Sequence, residues 1–227
     1  MAVKLNQIVP WGRSLREYEL MMSLTAQDMA KGILDCGGGP ASFVAEAAAR
    51  GYKVMAVDPI YAFSEAEIRA RFEATAGPMI DQVRAKPEDF VWSYHRDADD
   101  LLNKRRAALE LFLCDYARGS HEGRYVVGEL PCLPFDSGAF GIAVCSHLLF
   151  LYSDLLSAEF HVRAVRELCR VADEVRIFPL LNLDRRPSSH VAVVRAALEA
   201  EGWKTGIVPV EYEFQRGSNR MLKISKS

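Results

Sequence analysis

Apolar runs of strand length alternate with amphipathic stretches along most of this chain. The runs GILDCGGG, YKVMAVD, RYVVGEL, FGIAVCS and EVRIFPL lie next to segments with helical periodicity, such as PASFVAEAAARG and SAEFHVRAVRELCRVA. Two strands that are joined through a helix run parallel in the same sheet. The pattern therefore predicts an α/β fold with a Rossmann-like, doubly wound and mostly parallel sheet.

Both ends of the chain depart from this alternation. Near the N-terminus, Ser14 with Glu17 and Thr25 with Asp28 form capping-box patterns, which predict two short helices. Near the C-terminus, KTGIVPVEYEF and MLKIS follow a predicted helix and indicate an antiparallel hairpin on one edge of the sheet. Pro209 fits an edge strand because proline cannot donate a ladder hydrogen bond.

A long insertion, residues 60–122, separates the second predicted strand from the third. A simple crossover needs only about a dozen residues. A capping box at Ser64 predicts one helix, Gly77-Pro78 predicts its break, and DADDLLNKRRAALELFLCDYARG predicts a longer helix that ends at Gly119. We expect the insertion to form a helical cap on the main domain.

Composition and charge indicate neither a nucleic-acid nor a membrane partner. The 227 residues contain 28 Lys and Arg and 30 Asp and Glu, for a net charge of -2. No apolar segment approaches the roughly 18 residues of a membrane helix, and the cysteines lack zinc-like spacing, so we expect reduced thiols and no metal. We expect one cytoplasmic domain over residues 1–227, with N-terminal helices in residues 1–32 and the cap in residues 60–122.

The segment ILDCGGGPASF carries the most specific chemical signal. A strand runs directly into three glycines and then into a helix, a turn that lets the backbone approach a ligand closely. The spacing D-x-G-x-G-x-A from Asp35 to Ala41 differs from the dinucleotide pattern G-x-G-x-x-G, which would place its third glycine at Ser42. Asp58 ends the next strand about 20 residues on, where an acidic side chain can accept hydrogen bonds from both ribose hydroxyls. Together these features predict an adenosine ligand.

These motifs resemble those of class I S-adenosylmethionine (SAM)-dependent methyltransferases. Downstream, GELPCLPFDSGAFGIAVCSHLLF is similar to the stretch in small-molecule methyltransferases where an acidic residue closes the third strand and the fourth strand returns to the cofactor. The motifs cover residues 33–151, and the closing hairpin extends the resemblance to the C-terminus. The resemblance implies a transferase that uses SAM, releases S-adenosylhomocysteine (SAH) and methylates a small molecule.

The resemblance also implies which residues contact SAM. Those near the methionine part and the sulfonium are Asp35, Gly37, Gly39 and Ser146, and those near the ribose and adenine are Asp58, Pro59, Glu129 and Leu130. Family members often fold their first helices over this pocket. By that analogy Arg13 is a candidate for binding the SAM carboxylate, and Trp11 or Tyr18 for stacking near the sulfonium.

The chain departs from the family pattern in two places. Gly141 replaces the aspartate that usually follows phenylalanine at the start of the fourth strand, which we expect to alter a structural contact. Phe150 and Leu151 replace histidines that are common in the family, so a familiar candidate base is missing. His147 and Tyr152 are then the candidates for positioning the nucleophile and accepting its proton.

Other functions remain open at the level of sequence. Some proteins that resemble this fold use SAM as their sole substrate and cyclise it to azetidine-2-carboxylate, releasing methylthioadenosine. A second alternative is a non-catalytic SAM-binding protein. The methyl acceptor, the choice between O-, N- and C-methylation and the oligomeric state do not follow from the sequence.

Overall fold

Seven strands form one mixed sheet in the computed structural model, which describes residues 9–226. The strands are β1 Ile33–Cys36, β2 Val54–Val57, β3 Tyr125–Val126, β4 Phe140–Ser146, β5 Ala172–Phe178, β6 Trp203–Pro209 and β7 Arg220–Lys226. Their order is β3-β2-β1-β4-β5-β7-β6. Strands β1 to β5 pair in parallel, whereas β7 is antiparallel to both β5 and β6. This confirms the predicted Rossmann-like sheet with its antiparallel C-terminal hairpin, and Pro209 lies on the edge strand.

Helices cover both faces of the sheet. They are α1 Leu15–Met21, α2 Ala26–Met29, α3 Phe43–Ala49, α4 Glu65–Arg84, α5 Ala98–His121, α6 Ala158–Val171 and α7 His190–Ala200. Successive strand residues point to opposite faces, so Ile33 packs in the core below α1, α3, α4 and α5 while Leu34 packs against α6 and α7. The predicted capping boxes of α1, α2 and α4 are all present.

Two predicted helix ends within the insertion are wrong. Gly77 and Pro78 do not break α4, because both are exposed while the buried face of the helix continues past them to Ile80 and Val83. Burial of that face stabilises the helix, although Pro78 cannot donate a backbone hydrogen bond. Gly119 does not end α5, which runs on to His121. It serves close packing instead, since a Cβ there would overlap the ring of Tyr125.

The topology brings seven chain segments to one edge of the sheet. The turns after β1, β2, β3, β4 and β5 all lie at the carboxyl ends of parallel strands, and the β6–β7 loop joins them because the hairpin is antiparallel. The N-terminal segment before α1 also reaches this edge, where Val9 N donates to the hydroxyl of Tyr152 at 3.2 Å. Among residues 9–226, no helix is long and apolar enough to cross a membrane.

Candidate active site

A cavity of about 870 Å³ lies over the carboxyl ends of the parallel strands. It lies at the point where the strand order reverses, with β2 and β3 on one side of β1 and β4 and β5 on the other. Ligands of doubly wound sheets bind at this switch point. The walls also include the N-terminal segment, α4 and the β6–β7 loop.

The glycine turn after β1 forms part of the cavity wall and requires glycine at two positions. Gly37 and Gly39 have φ values of +73° and +55°, a region that L side chains rarely adopt. A Cβ on Gly37 would also lie 2.6 Å from Cδ2 of Leu148. Tyr61 fixes the turn by donating its hydroxyl hydrogen bond to the carbonyl oxygen of Gly39 at 2.8 Å.

Asp58 lies beside this turn with its carboxylate held by backbone donors. Oδ2 accepts from Gly39 N at 2.9 Å and Oδ1 accepts from Ile60 N at 2.8 Å. Burial raises the pKa of Asp58, and the two backbone hydrogen bonds oppose that shift. Each carboxylate oxygen can still accept a second hydrogen bond. Asp58 and three further predicted residues line the same cavity, namely Pro59, Glu129 and Leu130.

Arg13 and Trp11 line the cavity, and the Arg13 guanidinium has no counter-ion there within the described part of the chain. Nη1 of Arg13 donates to the carbonyl oxygen of Trp11 at 3.0 Å. The buried Nε of Arg13 and the buried Nε1 of Trp11 have no hydrogen-bond partner among the described residues. No carboxylate within residues 9–226 lies within 4 Å of the Arg13 guanidinium. A guanidinium without a counter-ion on a cavity wall suits an anionic ligand.

Tyr18 and Asp35 pair with each other below the glycine turn. The Tyr18 hydroxyl donates to Asp35 Oδ2 at 2.8 Å, and its ring stacks on Phe43 with centroids 4.2 Å apart. Tyr18 lines the cavity, but Asp35 is fully buried and does not. Burial raises the pKa of Asp35 to about 7, the hydrogen bond from Tyr18 opposes this, and the charge of Asp58 adds to it. The structure therefore separates Asp35 from the other predicted cofactor contacts by the backbone of the turn.

Ser146 at the end of β4 and His147 and Tyr152 just after it line the cavity. His147 has a left-handed backbone with φ of +54°, its N–H donates to the carbonyl oxygen of Phe178 at 2.7 Å, and Nδ1 lies 2.8 Å from Ser146 Oγ. Burial lowers the pKa of His147 well below its usual range, so the imidazole is neutral. Burial raises the pKa of Tyr152, and its hydroxyl accepts from the N-terminal backbone, which favours a structural role.

Sequence reasoning missed a buried network near Arg13. Arg105 of α5 holds Glu17 of α1 in a two-pronged ion pair, with both N–O distances 2.8 Å. The hydroxyl of Tyr212, which lines the cavity, donates to Glu17 Oε1 at 3.0 Å. Burial alone would raise the pKa of Glu17, but Arg105 outweighs it and holds the pKa at about 2. These residues lie 88 and 195 positions apart along the chain, so no local pattern could have indicated their pairing.

The insertion supplies one wall of the cavity. Its lining residues lie mainly on the cavity-facing side of α4 and just beyond it, and include Arg71, Thr75, Met79, Val83 and Phe90. The neighbouring Trp92 and Tyr94 do not line the cavity: Trp92 donates from Nε1 to the carbonyl oxygen of Pro87 at 2.9 Å, and the Tyr94 hydroxyl lies 3.4 Å from Ser14 Oγ. Of the aromatic residues between positions 90 and 95, only Phe90 lines the cavity.

The sequence of this chain is similar to that of another protein along nearly its whole length. No protein-family model matches it. An uncharacterised protein from Methanocaldococcus jannaschii is 29% identical over 225 residues, which is 99% of both chains.

Similar solved structures include SAM-dependent methyltransferases. Magnesium protoporphyrin IX methyltransferase from Synechocystis PCC 6803 with bound SAM has 16% identity and a TM-score of 0.46, over 93% of this chain and 78% of that chain. A SAM-dependent methyltransferase from Aquifex aeolicus has 15% identity and a TM-score of 0.42, over 92% and 85%. A protein from Pyrococcus horikoshii OT3 has 12% identity and a TM-score of 0.48, over 93% and 90%.

Proposed function

We propose that this protein is a SAM-dependent methyltransferase that acts on a small molecule. The observation that carries the proposal is Arg13, whose guanidinium lies on the cavity wall without a carboxylate partner among the described residues. A guanidinium fork suits a carboxylate such as that of the methionine part of SAM. The glycine turn and Asp58 lie in the same cavity, where they suit the remainder of an adenosyl ligand.

The residues of the wall fit SAM in chemical character. Arg13 offers a guanidinium to its carboxylate, and Asp58 offers acceptors to the ribose hydroxyls. The loop at Glu129 and Leu130 lies on the same side as Asp58, because β3 pairs with β2. Bound SAM supplies a methyl group on a cationic sulfur, so the protein mainly needs to position the acceptor.

His147 is the proposed proton acceptor. Its low pKa keeps the imidazole neutral, and a neutral imidazole has one nitrogen that accepts a proton. In the tautomer that donates from Nδ1 to Ser146 Oγ, that nitrogen is Nε2. The left-handed backbone and the backbone hydrogen bond to Phe178 fix the main chain at His147, and the contact of Nδ1 with Ser146 Oγ orients the ring.

Calorimetric titration with SAH tests the cofactor site. Wild-type protein should bind SAH, and Arg13→Lys should weaken binding about tenfold or more, because lysine keeps the charge but loses the planar fork. Arg16→Lys is the matched control, since Arg16 lies on the exposed side of α1 in an ion pair with Glu19. Failure of the wild type to bind SAH would refute the proposal, and unchanged affinity in Arg13→Lys would remove Arg13 from the site.

Product analysis tests the reaction. Methyl transfer converts SAM to SAH only when an acceptor is present. Incubation of the protein with SAM alone, followed by mass spectrometry, should therefore yield neither SAH nor methylthioadenosine above a no-protein blank. Methylthioadenosine formed without an acceptor would assign the cyclising reaction instead.

A further inference from the structure

The cavity continues beyond the proposed cofactor position into an apolar half. The glycine turn and Asp58 follow β1 and β2, whereas the turns after β4 and β5 and the β6–β7 loop line the other side. This second half, called the distal half below, is bounded by apolar side chains, namely Met79, Val83, Phe90, Leu151, Leu156, Phe160, Leu183 and Phe214. Such a wall fits the apolar body of a small molecule.

A tightly held turn presents Arg185 to the distal half. Arg185 has φ of +61° although it is not glycine, and its N–H donates to the carbonyl oxygen of Asn182 at 3.0 Å. The Asn182 side chain fixes the turn by accepting from Asp184 N at 3.1 Å and from Arg186 N at 3.0 Å. Left-handed backbone in a residue with a side chain persists where the surroundings enforce it, and it concentrates at ligand sites.

Two other segments hold the same turn in place. Gln215 of the β6–β7 loop donates from Nε2 to the carbonyl oxygen of Asn182 at 3.2 Å, and Asn182 Nδ2 donates to Asp154 Oδ2 at 3.2 Å. Arg185 Nη2 lies 2.8 Å from Asp89 Oδ1 of the insertion. The β6–β7 loop and the segment after β4 thus hold the turn, whereas Asp89 of the insertion holds the guanidinium.

Arg185 can bind an anion without losing its contact with Asp89, which lines the same half of the cavity. The contact with Asp89 engages one nitrogen of Arg185, whereas a guanidinium carries five N–H donors. The remaining donors can bind a carboxylate while the ion pair with Asp89 persists.

We propose that the methyl acceptor is a predominantly apolar carboxylic acid whose carboxylate binds Arg185. This inference rests on the proposed function, because it treats the distal half as the acceptor site. The apolar side chains enclose the body of the acid and Arg185 fixes one end of it. Arg185 is then a residue that selects and orients the acceptor.

Matched acids and amides test this assignment by calorimetry on the SAH complex at pH 7.5. The probes are benzoic, 2-naphthoic and decanoic acid with their primary amides. At least one acid should bind saturably and about tenfold or more tightly than its amide, the difference expected for losing a charge-assisted hydrogen bond. Arg185→Gln should abolish that preference. Arg186→Gln, the same change at the exposed neighbour outside the cavity, should retain it.

Three results would overturn the proposal. They are an absence of saturable binding by every acid, equal affinities for each acid and its amide, or an undiminished acid preference in Arg185→Gln. The first two concern wild-type protein and need no variant to fold. If SAH itself does not bind, the proposed function fails, whereas SAH binding with no preference for acids refutes the acceptor class alone.

Discussion

Arg105 and Glu17 form a buried ion pair in which Nη1 and Nη2 lie 2.8 Å from the two carboxylate oxygens. Arg105 belongs to α5 of the insertion and Glu17 to α1, so the pair ties the insertion to the N-terminal helix. Burial and the charge of Arg105 lower the pKa of Arg13, whereas the charge of Glu17 raises it. Arg105 already neutralises Glu17, and no carboxylate within residues 9–226 lies within 4 Å of the Arg13 guanidinium.

Breaking this pair should cost much more stability than removing both charges. Arg105→Met leaves the Glu17 carboxylate buried without a counter-ion and should lower the free energy of unfolding by about 3–5 kcal/mol. Adding Glu17→Gln removes the stranded charge, while glutamine can still complete the capping box with Ser14. Urea unfolding should therefore show that the double variant recovers at least half of the loss. A double variant as unstable as Arg105→Met would attribute the loss to packing instead of charge.

Asp35 should make stability fall as the pH rises. Burial raises the pKa of Asp35 to about 7 from a usual value of 3.8. Between these values the folded protein keeps a proton that the unfolded chain has lost, so the free energy of unfolding decreases with pH until Asp35 ionises in both states. Asp35→Asn keeps the shape and removes the titration. Its stability relative to wild type should increase by roughly 2–3 kcal/mol between pH 5 and pH 8.

Urea unfolding of both proteins at these two pH values measures that difference without ligand. Other titrating groups act on both proteins alike, so they cancel in the comparison. A difference that does not change with pH would mean that Asp35 titrates in its usual range.

Gly141 stands where the methyltransferases that this sequence resembles usually have aspartate, and the structure gives a steric reason. A Cβ on Gly141 would lie 2.6 Å from Cβ and 2.7 Å from the carbonyl oxygen of Lys31. Gly141→Ala should therefore lower the free energy of unfolding by about 1–3 kcal/mol. Gly77→Ala is the matched control. A Cβ at this position meets no atom within 4 Å, so the substitution should raise the free energy of unfolding by about 1 kcal/mol through the better helix propensity of alanine. Equal effects in thermal unfolding would contradict the steric explanation.

Local sequence signals predicted the parts of the fold that depend on neighbouring residues. The capping boxes at Ser14, Thr25 and Ser64 each join residues three apart, and all three are present. The glycine turn was predictable because Gly37 and Gly39 need a backbone conformation that other residues avoid.

Features that depend on contacts between distant segments were not predictable. Pro78 resembles a helix break in sequence, yet the buried face of α4 overrides it. The ion pair of Arg185 with Asp89 joins a turn after β5 to the insertion, and each residue alone looks like an ordinary surface charge. The glycines of the turn and Asp58 were named from the sequence and line one cavity, whereas the proposed acceptor half emerged only from the structure.

The insertion should act as a lid that responds to the cofactor. Thr75, Met79 and Val83 of α4 line the cavity, and two backbone hydrogen bonds join the segment after α4 to the β6–β7 loop, from Val91 N to Phe214 O at 2.7 Å and from Arg216 N to Asp89 O at 3.0 Å. A ligand against this wall should slow local opening, because opening would then expose ligand as well as protein.

Hydrogen exchange with and without SAH, at two protein concentrations, should therefore show slower exchange in residues 65–91 when SAH is bound. The helix α7, on the opposite face of the sheet, serves as the internal control and should change little. An oligomerisation element would behave differently, since its protection would rise with protein concentration and not with ligand. Protection of residues 65–91 that is the same with and without SAH would refute the lid, even if SAH binds elsewhere in the cavity.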